Sequence, residues 1–336
     1  MKRLLPVLVL ALLSPFIAEV LLGATPLSRA DSLLPLTLLY GGGAVAIREL
    51  ARRRGSGWST VLWLGAAYGL VEEGLVMQTL FSPDLFDAAA TGGRALGVNW
   101  VWAQVVVGYH VVWSIAIPIA LTEILFRKRG AEPWLGRTEL SIALACYAVG
   151  ALAIGFTFRT IVTPNFRASA MLLATAAVAA TLCVAWALRE AGGRTQIQRT
   201  AESASQVSPL RLGLASLLMA AVWLEQWMLP APLRAGWMAP LTMVAAAALA
   251  LAFAAFVRQL ALRGPWTDLH RLALASGALV ASMAYGVRAI AVGTVLDRVA
   301  HAVCCAATAL FLAVWAWRLR RCEAVPPTLN QATQKR

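Results

Sequence analysis

The chain has 336 residues, of which 60% are hydrophobic and 13% are charged, and its mean hydropathy is +0.71. Soluble domains carry about 25% charged residues, so this composition excludes a soluble protein and predicts an all-α, polytopic transmembrane helix bundle. The formal net charge of +13 is expected to reflect basic loops on the cytoplasmic face, and we expect no nucleic-acid partner.

About ten predicted spans follow one another along the chain. A spanning helix needs about 20 mostly apolar residues, and the segments that suit it are 4–23, 33–50, 59–80, 99–126, 139–158, 168–188, 209–228, 237–257, 271–290 and 300–318. They are too continuously apolar for the strands of a membrane barrel. Residues 1–23 also resemble a signal peptide, but Glu19 and the lack of a clear cleavage site favour a retained first span.

The basic residues indicate how these spans are oriented. With the N-terminus in the cytoplasm, the inner segments hold 22 Lys and Arg and the outer segments hold 7, which together make up the 29 of the chain. Short cytoplasmic loops carry such an excess of Lys and Arg. Both termini are therefore predicted to be cytoplasmic. We expect a multi-pass protein of the cell membrane, typical of a bacterial inner membrane, with membrane lipid around it.

Composition also divides the chain into unequal parts. Residues 1–188 are predicted to form a six-span bundle and residues 209–318 a four-span bundle. Between them, residues 189–208 are rich in Gly, Ser, Thr and Gln and are predicted to form a cytoplasmic linker. Residues 319–336 are predicted to be a cytoplasmic tail. We find no internal repeat, which argues against an inverted-repeat transporter.

Two neighbouring carboxylates interrupt the third span. Glu72 and Glu73 lie in the sequence Tyr68 to Leu75, between Gly69 and Gly74. An ionisable residue within the bilayer is costly and normally faces the bundle interior or a wet cavity. Adjacent helical residues point about 100° apart, so both can border one cavity. Carboxylates this close are not expected to ionise together, which makes the pair a candidate proton holder.

The fourth span carries the matching imidazole. His110 has Ser114 one turn later on the same face, and Pro118 predicts a kink after it. Because spans three and four run antiparallel, Glu72 and His110 are expected at similar depth in the outer half of the membrane. We predict a polar pocket that opens to the extracytoplasmic side under the loop 81–98. Its supporting residues are predicted to be Glu19, Asn99, Gln104 and Ser114.

Other charges in the spans favour structural roles. Any single intramembrane Glu or His, including those above, is also explained as a hydrogen-bonding partner between helices. Glu49 is expected to pair with Arg53 and Glu123 with Arg127, each one helical turn away. Arg48 lies near the inner boundary, where its side chain is expected to extend to water.

A double Glu in one membrane helix, followed about 37 residues later by a His in the next, resembles the CAAX-prenyl endopeptidase and bacteriocin-processing membrane glutamic proteases. Their pattern is EExxxR, then FxxxH, then HxxxN or HxxxD. The resemblance implies that Glu72 or Glu73 is the base and His110 an electrophilic or orienting partner. However, Met77 stands at the Arg position, Val106 stands at the Phe position, and no third His follows at the expected distance. As a whole, the chain looks like an uncharacterised type of bacterial polytopic membrane protein.

Three classes of function fit these residues. The first is a membrane-embedded enzyme acting on a lipidic or peptide substrate, either by hydrolysis or by acid-initiated isoprenoid cyclisation, with Glu72, Glu73 and His110 as catalytic residues. The second is a proton-coupled transporter, and the third is a non-enzymatic membrane subunit. The chain has no P-loop, GxGxxG or HExxH motif. We therefore expect no cofactor and no metal, although a Glu–Glu–His metal site is conceivable.

Overall fold

The computed structural model describes residues 4–85, 93–190, 207–234, 236–263 and 266–323. Regular structure in these residues is almost entirely helical, as predicted. The ten long helices are α1 Leu5–Val20, α2 Leu27–Arg53, α3 Trp58–Leu70 with its continuation Val71–Val76, α4 Trp100–Leu125, α5 Arg137–Val162, α6 Ala170–Glu190, α7 Pro209–Glu225, α8 Met238–Arg263, α9 Asp268–Val292 and α10 Val295–Glu323. Before α4, strands β1 Arg94–Ala95 and β2 Val98–Asn99 pair antiparallel, with Arg94 opposite Asn99.

Seven of the described helices are long and apolar enough to cross a membrane, namely α2, α4, α5, α6, α8, α9 and α10. α1 is apolar but shorter. The multi-pass helical architecture is thus confirmed. Each predicted span overlaps one of the ten helices, while the number that cross the bilayer and the cytoplasmic location of the termini stay predictions.

The start of α7 shows how local chemistry sets a helix boundary. Ser208 is the N-cap, and its hydroxyl accepts a hydrogen bond from the backbone N–H of Arg211 at 3.3 Å. Pro209 occupies the first helical position, where its missing N–H costs nothing. Most of the predicted linker, residues 191–206, and most of the predicted tail, residues 324–336, lie outside the described part of the chain.

Helix α4 lies at the centre of the bundle, in contact with α1, α3 and α9. The buried indole of Trp113 donates to the carbonyl of Ala278 on α9 at 3.1 Å. One helical turn earlier, the Tyr109 hydroxyl donates to the carbonyl of Ala18 on α1 at 2.8 Å. These buried side chains of α4 are therefore surrounded by protein, which is the environment that polar groups at membrane depth need.

A buried ionic network, which sequence reasoning did not predict, joins the C-terminal ends of α2 and α4 to the N-terminal end of α9. Arg48 is 0% exposed and does not extend to water; it donates to Glu49 at 2.9 Å and to Glu123 at 3.2 Å. Its guanidinium also stacks on the Trp134 ring at 3.5 Å. The expectation of an exposed Arg48 is wrong because these partners satisfy its donors inside the bundle.

Glu123 accepts from residues on other helices. Its carboxylate receives two hydrogen bonds from Arg52, at 2.7 and 2.8 Å, and lies 3.4 Å from Arg271. These contacts, together with Arg48, take the place of the expected pair with Arg127. The expected pair of Glu49 with Arg53 is present at 3.8 Å. The network thus clamps three helices at the end of the bundle opposite the predicted pocket.

Candidate functional site

Glu72, Glu73 and His110 meet in the interior of the bundle. The Nε2 atom of His110 lies 3.0 Å from Glu73 Oε1, and Nδ1 lies 3.4 Å from Glu72 Oε2. None of the three residues is more than 3% exposed. The imidazole is therefore held between two carboxylates, one at each ring nitrogen. The three residues are neighbours, as expected from the sequence.

The two carboxylates have different surroundings. Both oxygens of Glu73 have partners, because Oε1 faces His110 and Oε2 accepts a hydrogen bond from the Thr79 hydroxyl. Glu72 Oε2 has no hydrogen-bonding partner, and neither does the buried hydroxyl of Tyr68, which neighbours the Glu72 carboxyl. Buried polar atoms are nearly always partnered. These two atoms therefore mark the place where the site can accept a water molecule, a proton or a ligand.

Ser114 completes the contacts of the imidazole. Its hydroxyl lies 3.0 Å from His110 Nδ1, and its carbonyl accepts a hydrogen bond of 2.6 Å from Ser14 on α1. Ser14 also reaches the carbonyl of Tyr40 on α2 at 3.3 Å. This predicted supporting residue thus lies in the site and ties it to two further helices.

A tight turn after α3 closes one side of the site. After the segment Val71–Val76, Gln78 has a positive φ of 60°, an unusual conformation for a residue other than glycine. The turn brings Thr79 back onto Glu73, and the Trp102 indole donates to the same Thr79 hydroxyl at 3.0 Å. Thr79 and Trp102 are site residues that sequence analysis missed, because only the turn places them there.

Asn99 supports this turn but does not touch the central residues. Its amide donates to the carbonyls of Thr79 at 3.2 Å and Ser82 at 2.6 Å, and its oxygen accepts from Arg94 at 2.6 Å. The described part of the predicted covering loop packs closely here, with Phe81 and Ser82 buried. Residues 86–92 of that loop lie outside the described part of the chain.

Glu19 does not contact Glu72, Glu73 or His110 directly but is connected to them through one intervening side chain, Tyr40. Its carboxylate accepts hydrogen bonds of 2.7 Å from the hydroxyls of Thr25 and Tyr40. The Tyr40 ring lies 5.9 Å from the His110 ring, between centroids. Tyr40 therefore links Glu19 to the imidazole, which places Glu19 beside the site as predicted.

Gln104 is not part of this site. Its amide donates to Gln226 at 2.7 Å and to the carbonyl of Met243 at 3.1 Å, so it joins α4 to α7 and α8. The physical reason is helical phase. Six residues of α-helix turn through about 600°, and this directs Gln104 away from the face that carries His110.

Tyrosines form a shell around the imidazole. The rings of Tyr40, Tyr68 and Tyr109 have their centroids within 6.0 Å of the His110 centroid, and Tyr147 packs on Tyr68 at 5.7 Å. The chain has five tyrosines in all, so four of them lie around this site. Tyr40 and Tyr68 could not be assigned to the site from sequence, because their clustering becomes apparent only when the helices are packed together.

Two glycines let the helices approach closely enough to build the site. A Cβ atom on Gly69 would lie 3.1 Å from His110 Cβ, so α3 and α4 could not pack as they do with a larger residue there. A Cβ atom on Gly43 would lie 2.5 Å from the Tyr68 ring. Gly74, after the two glutamates, lets α6 approach in the same way, because a Cβ atom there would lie 2.9 Å from Ala176 Cβ.

The central residues lie in π-helical segments. Glu19 lies in Phe16–Val20, Tyr40 in Thr37–Gly41, the two glutamates in Val71–Val76, and His110 with Ser114 in His110–Ala116. The last segment ends at Ala116, and regular α-helix resumes at Ile117, one residue before Pro118. Single π-helical turns inside α-helices are rare and occur frequently at functional sites.

The arrangement has two chemical capacities. First, Glu72, Glu73 and His110 each offer a ligand atom, and these atoms lie within 4.8 Å of one another, so the group could hold a metal ion. Second, a free carboxylate oxygen next to an oriented imidazole can move a proton. The three residues are closed off from solvent, so the predicted opening to the extracytoplasmic side is not visible in the described residues.

Residues 8–325 match the model of a family described as an uncharacterised membrane protein family. No curated protein and no solved structure matches the chain. The resemblance to membrane glutamic proteases therefore rests on the Glu72, Glu73 and His110 cluster alone.

Proposed function

This chain belongs to an uncharacterised membrane protein family, and from the chemistry of its buried site we propose that it is a membrane-embedded hydrolase acting on a lipidic or peptide substrate. The observation that carries the proposal is the unequal environment of the two carboxylates. Glu73 is fully partnered and orients His110, while Glu72 Oε2 has no partner. One orienting carboxylate and one free carboxylate are what water activation requires.

In the proposed reaction, Glu72 takes a proton from a water molecule held beside Oε2. The water oxygen bonds to the carbonyl carbon of an ester or amide. His110 Nδ1, 3.4 Å from Glu72 Oε2, accepts the other hydrogen of the same water and so orients its oxygen toward the carbonyl carbon. The proton on Glu72 then passes to the leaving group as its bond to the carbonyl carbon breaks, so that water is consumed and an acid and an alcohol or amine are released.

Glu73 has the role of a positioning residue. A carboxylate can only accept, so the hydrogen of the 3.0 Å contact with Glu73 belongs to His110 Nε2. This fixes the ring and leaves Nδ1 facing Glu72 and Ser114. Thr79, which the turn at Gln78 brings back onto the site, donates to the other oxygen of Glu73 and so fixes its carboxylate.

The test compares three variants in detergent, with fluorogenic long-chain acyl esters and an internally quenched apolar peptide as substrates. Loss of a general base reduces turnover by about 10²–10⁴-fold, and we expect this of Glu72→Gln and of His110→Ala. Glu73→Gln keeps an acceptor for Nε2–H, so its loss should be smaller. Glu225→Gln is the matched control, because Glu225 pairs with Arg288 at the protein surface.

Each variant must elute as wild type does in size-exclusion chromatography. A folded Glu72→Gln protein with undiminished turnover would overturn the proposal.

A proton-coupled transporter is the second candidate, and one observation favours it. Glu19 and Tyr40 connect the outer end of α1 to the imidazole through hydroxyl and carboxylate groups, a pattern that suits proton relay. Proteoliposomes separate the two functions. A transporter carries protons or substrate across the membrane and needs a gradient, whereas a hydrolase turns over in detergent without one.

A further inference from the structure

We propose that the site binds one Zn²⁺ ion, with His110 Nδ1 and Glu72 Oε2 as its protein ligands and Glu73 as the carboxylate behind the imidazole. The proposal deepens the hydrolase function above and rests on it for its purpose, but its test reads metal binding directly. Sequence analysis expected no metal here, since Glu–Glu–His at this spacing lacks a recognised metal motif.

The charge of the three central residues favours a divalent cation. Two carboxylates with a neutral imidazole carry a charge of −2, and within the described residues no Lys or Arg side chain forms an ion pair with Glu72 or Glu73. A buried charge without a counter-charge is costly. One divalent cation neutralises the group completely, while a single proton leaves it at −1.

Two buried polar atoms without hydrogen-bonding partners also indicate a ligand. Glu72 Oε2 and the Tyr68 hydroxyl are both buried and both lack a hydrogen-bonding partner, although they belong to different helical turns of α3. The Tyr68 ring lies 5.7 Å from the His110 ring. A bound ion would give Glu72 Oε2 a partner, and a water on that ion would give the Tyr68 hydroxyl an acceptor or donor.

The separation of the two proposed ligand atoms suits a zinc ion. His110 Nδ1 and Glu72 Oε2 are 3.4 Å apart. Two ligand atoms at this separation, each about 2.0–2.1 Å from one Zn²⁺, subtend an angle of about 110° at the ion. That is the angle of tetrahedral coordination, and the ion would need little movement of either side chain. Ser114 Oγ, 3.0 Å from Nδ1, would turn aside or join the coordination.

The Glu73 carboxylate behind the imidazole also favours a metal at Nδ1. Histidines that bind a metal through one nitrogen almost always donate the other N–H to a carboxylate or a carbonyl. Glu73 Oε1 accepts from Nε2 at 3.0 Å, and Thr79 fixes Glu73 from its other oxygen. This is the outer contact of a carboxylate–histidine–zinc unit, already assembled.

The donor types select the ion. Ca²⁺ takes six to eight oxygen ligands and Mg²⁺ prefers an oxygen octahedron rich in water. An imidazole nitrogen with carboxylate oxygens suits Zn²⁺ instead, with Mn²⁺ the weaker binder of the two. A catalytic zinc keeps a position for water beside its protein ligands, usually three of them, and the ligands here leave such a position open even if Ser114 Oγ joins them. When bound, the ion would acidify such a water, and it would then supply the water activation that the hydrolysis proposed above assigns to Glu72 Oε2.

The experiment measures zinc on full-length protein purified with an affinity tag that contains no histidine. Protein is stripped with chelator in detergent, titrated with ZnCl₂ against a fluorescent zinc chelator, and analysed for bound metal by mass spectrometry. We expect one Zn²⁺ per chain in the wild type. Binding at the site should be lost in His110→Ala and weaken by about 100-fold or more in Glu72→Gln. In Glu73→Gln, which loses only the outer contact, it should weaken by about 10–100-fold.

Three matched controls should bind as wild type does. They are His270→Ala, which removes a histidine elsewhere, Tyr285→Phe, which changes the tyrosine outside the shell, and the double variant C304S/C305S, which removes two free thiols. Tyr68→Phe keeps the ring and should weaken binding only slightly, which also shows that the fold tolerates substitution in the shell.

The outcomes are distinct. A wild type that binds no zinc, or one whose zinc persists in both Glu72→Gln and His110→Ala, overturns the metal site. If that protein still hydrolyses the test substrates in a Glu72-dependent manner, the hydrolase proposal survives without it. Stoichiometric, Glu72-dependent zinc in a protein without hydrolysis leaves the metal site standing and overturns the hydrolase instead.

Discussion

Replacing Arg48 by Met tests whether the buried ionic network stabilises the bundle. Met keeps the apolar stem against Trp134 and removes the guanidinium, which donates to Glu49 at 2.9 Å, Glu123 at 3.2 Å and the carbonyl of Gly130 at 2.7 Å. Removing one partner of a buried ion pair costs about 3–5 kcal/mol when it leaves a charge unpaired.

Here the loss is smaller, because both carboxylates keep other partners. Glu49 still accepts from the backbone N–H groups of Trp134 and Leu135, at 2.8 and 3.2 Å, and Glu123 keeps Arg52. The change therefore removes charge-assisted hydrogen bonds, worth about 1.5–3 kcal/mol each, and relieves the burial of one cation. We expect a net loss of about 3 kcal/mol in the free energy of unfolding.

Equilibrium unfolding in mixed micelles, followed by tryptophan fluorescence, measures this difference. Arg288→Met is the matched control, since Arg288 pairs with Glu225 at the surface with 48% of its side chain exposed. Exposed pairs contribute about 0–1 kcal/mol. Arg48→Lys should fall between the two, because an ammonium cannot reach all three acceptors at once. If Arg48→Met unfolds at the same midpoint as Arg288→Met, the network does not hold the helices together as argued.

Two further predictions concern packing. Gly69→Ala should reduce activity at least tenfold with the protein still folded, because its Cβ would push His110 away from Glu73, whereas Gly57→Ala, which meets nothing within 4 Å, should be silent in the same turnover assay. Asp297→Asn should lower the midpoint of unfolding, since Asp297 accepts from Ser28 at 2.8 and 3.1 Å and from Thr294 at 2.7 and 3.1 Å, and so joins the start of α10 to the start of α2. An unchanged unfolding midpoint in Asp297→Asn would contradict that role.

The helices and the central residues of the site could be predicted from sequence for one reason. In a chain with so little charge, apolar runs define helices directly, and a pair such as Glu72 and Glu73 within such a run stands out. Helical phase and antiparallel packing then bring His110 to the same depth. The 3.0 Å and 3.4 Å contacts agree with that reasoning.

The remaining parts of the site depend on tertiary structure. Thr79 reaches Glu73 only because Gln78 adopts a left-handed conformation, and no residue type there predicts it. Gln104 was placed in the pocket from depth alone, but its position around the helix directs it to Gln226. Arg48 was expected to extend to water because its partners, distant in sequence, could not be identified.

The π-helical segments argue that the site is more than a set of structural hydrogen bonds. Regular α-helices would satisfy the backbone groups in the interior of α1 to α4, yet each of these four helices departs from α geometry where it contributes to the site. Glu72 and Glu73 lie next to each other in one of these segments, and both reach the same imidazole. Such departures persist only where the surrounding structure holds them, and they concentrate at functional sites. A subunit with a merely structural role has no need of four of them at one place, and this favours chemistry at His110.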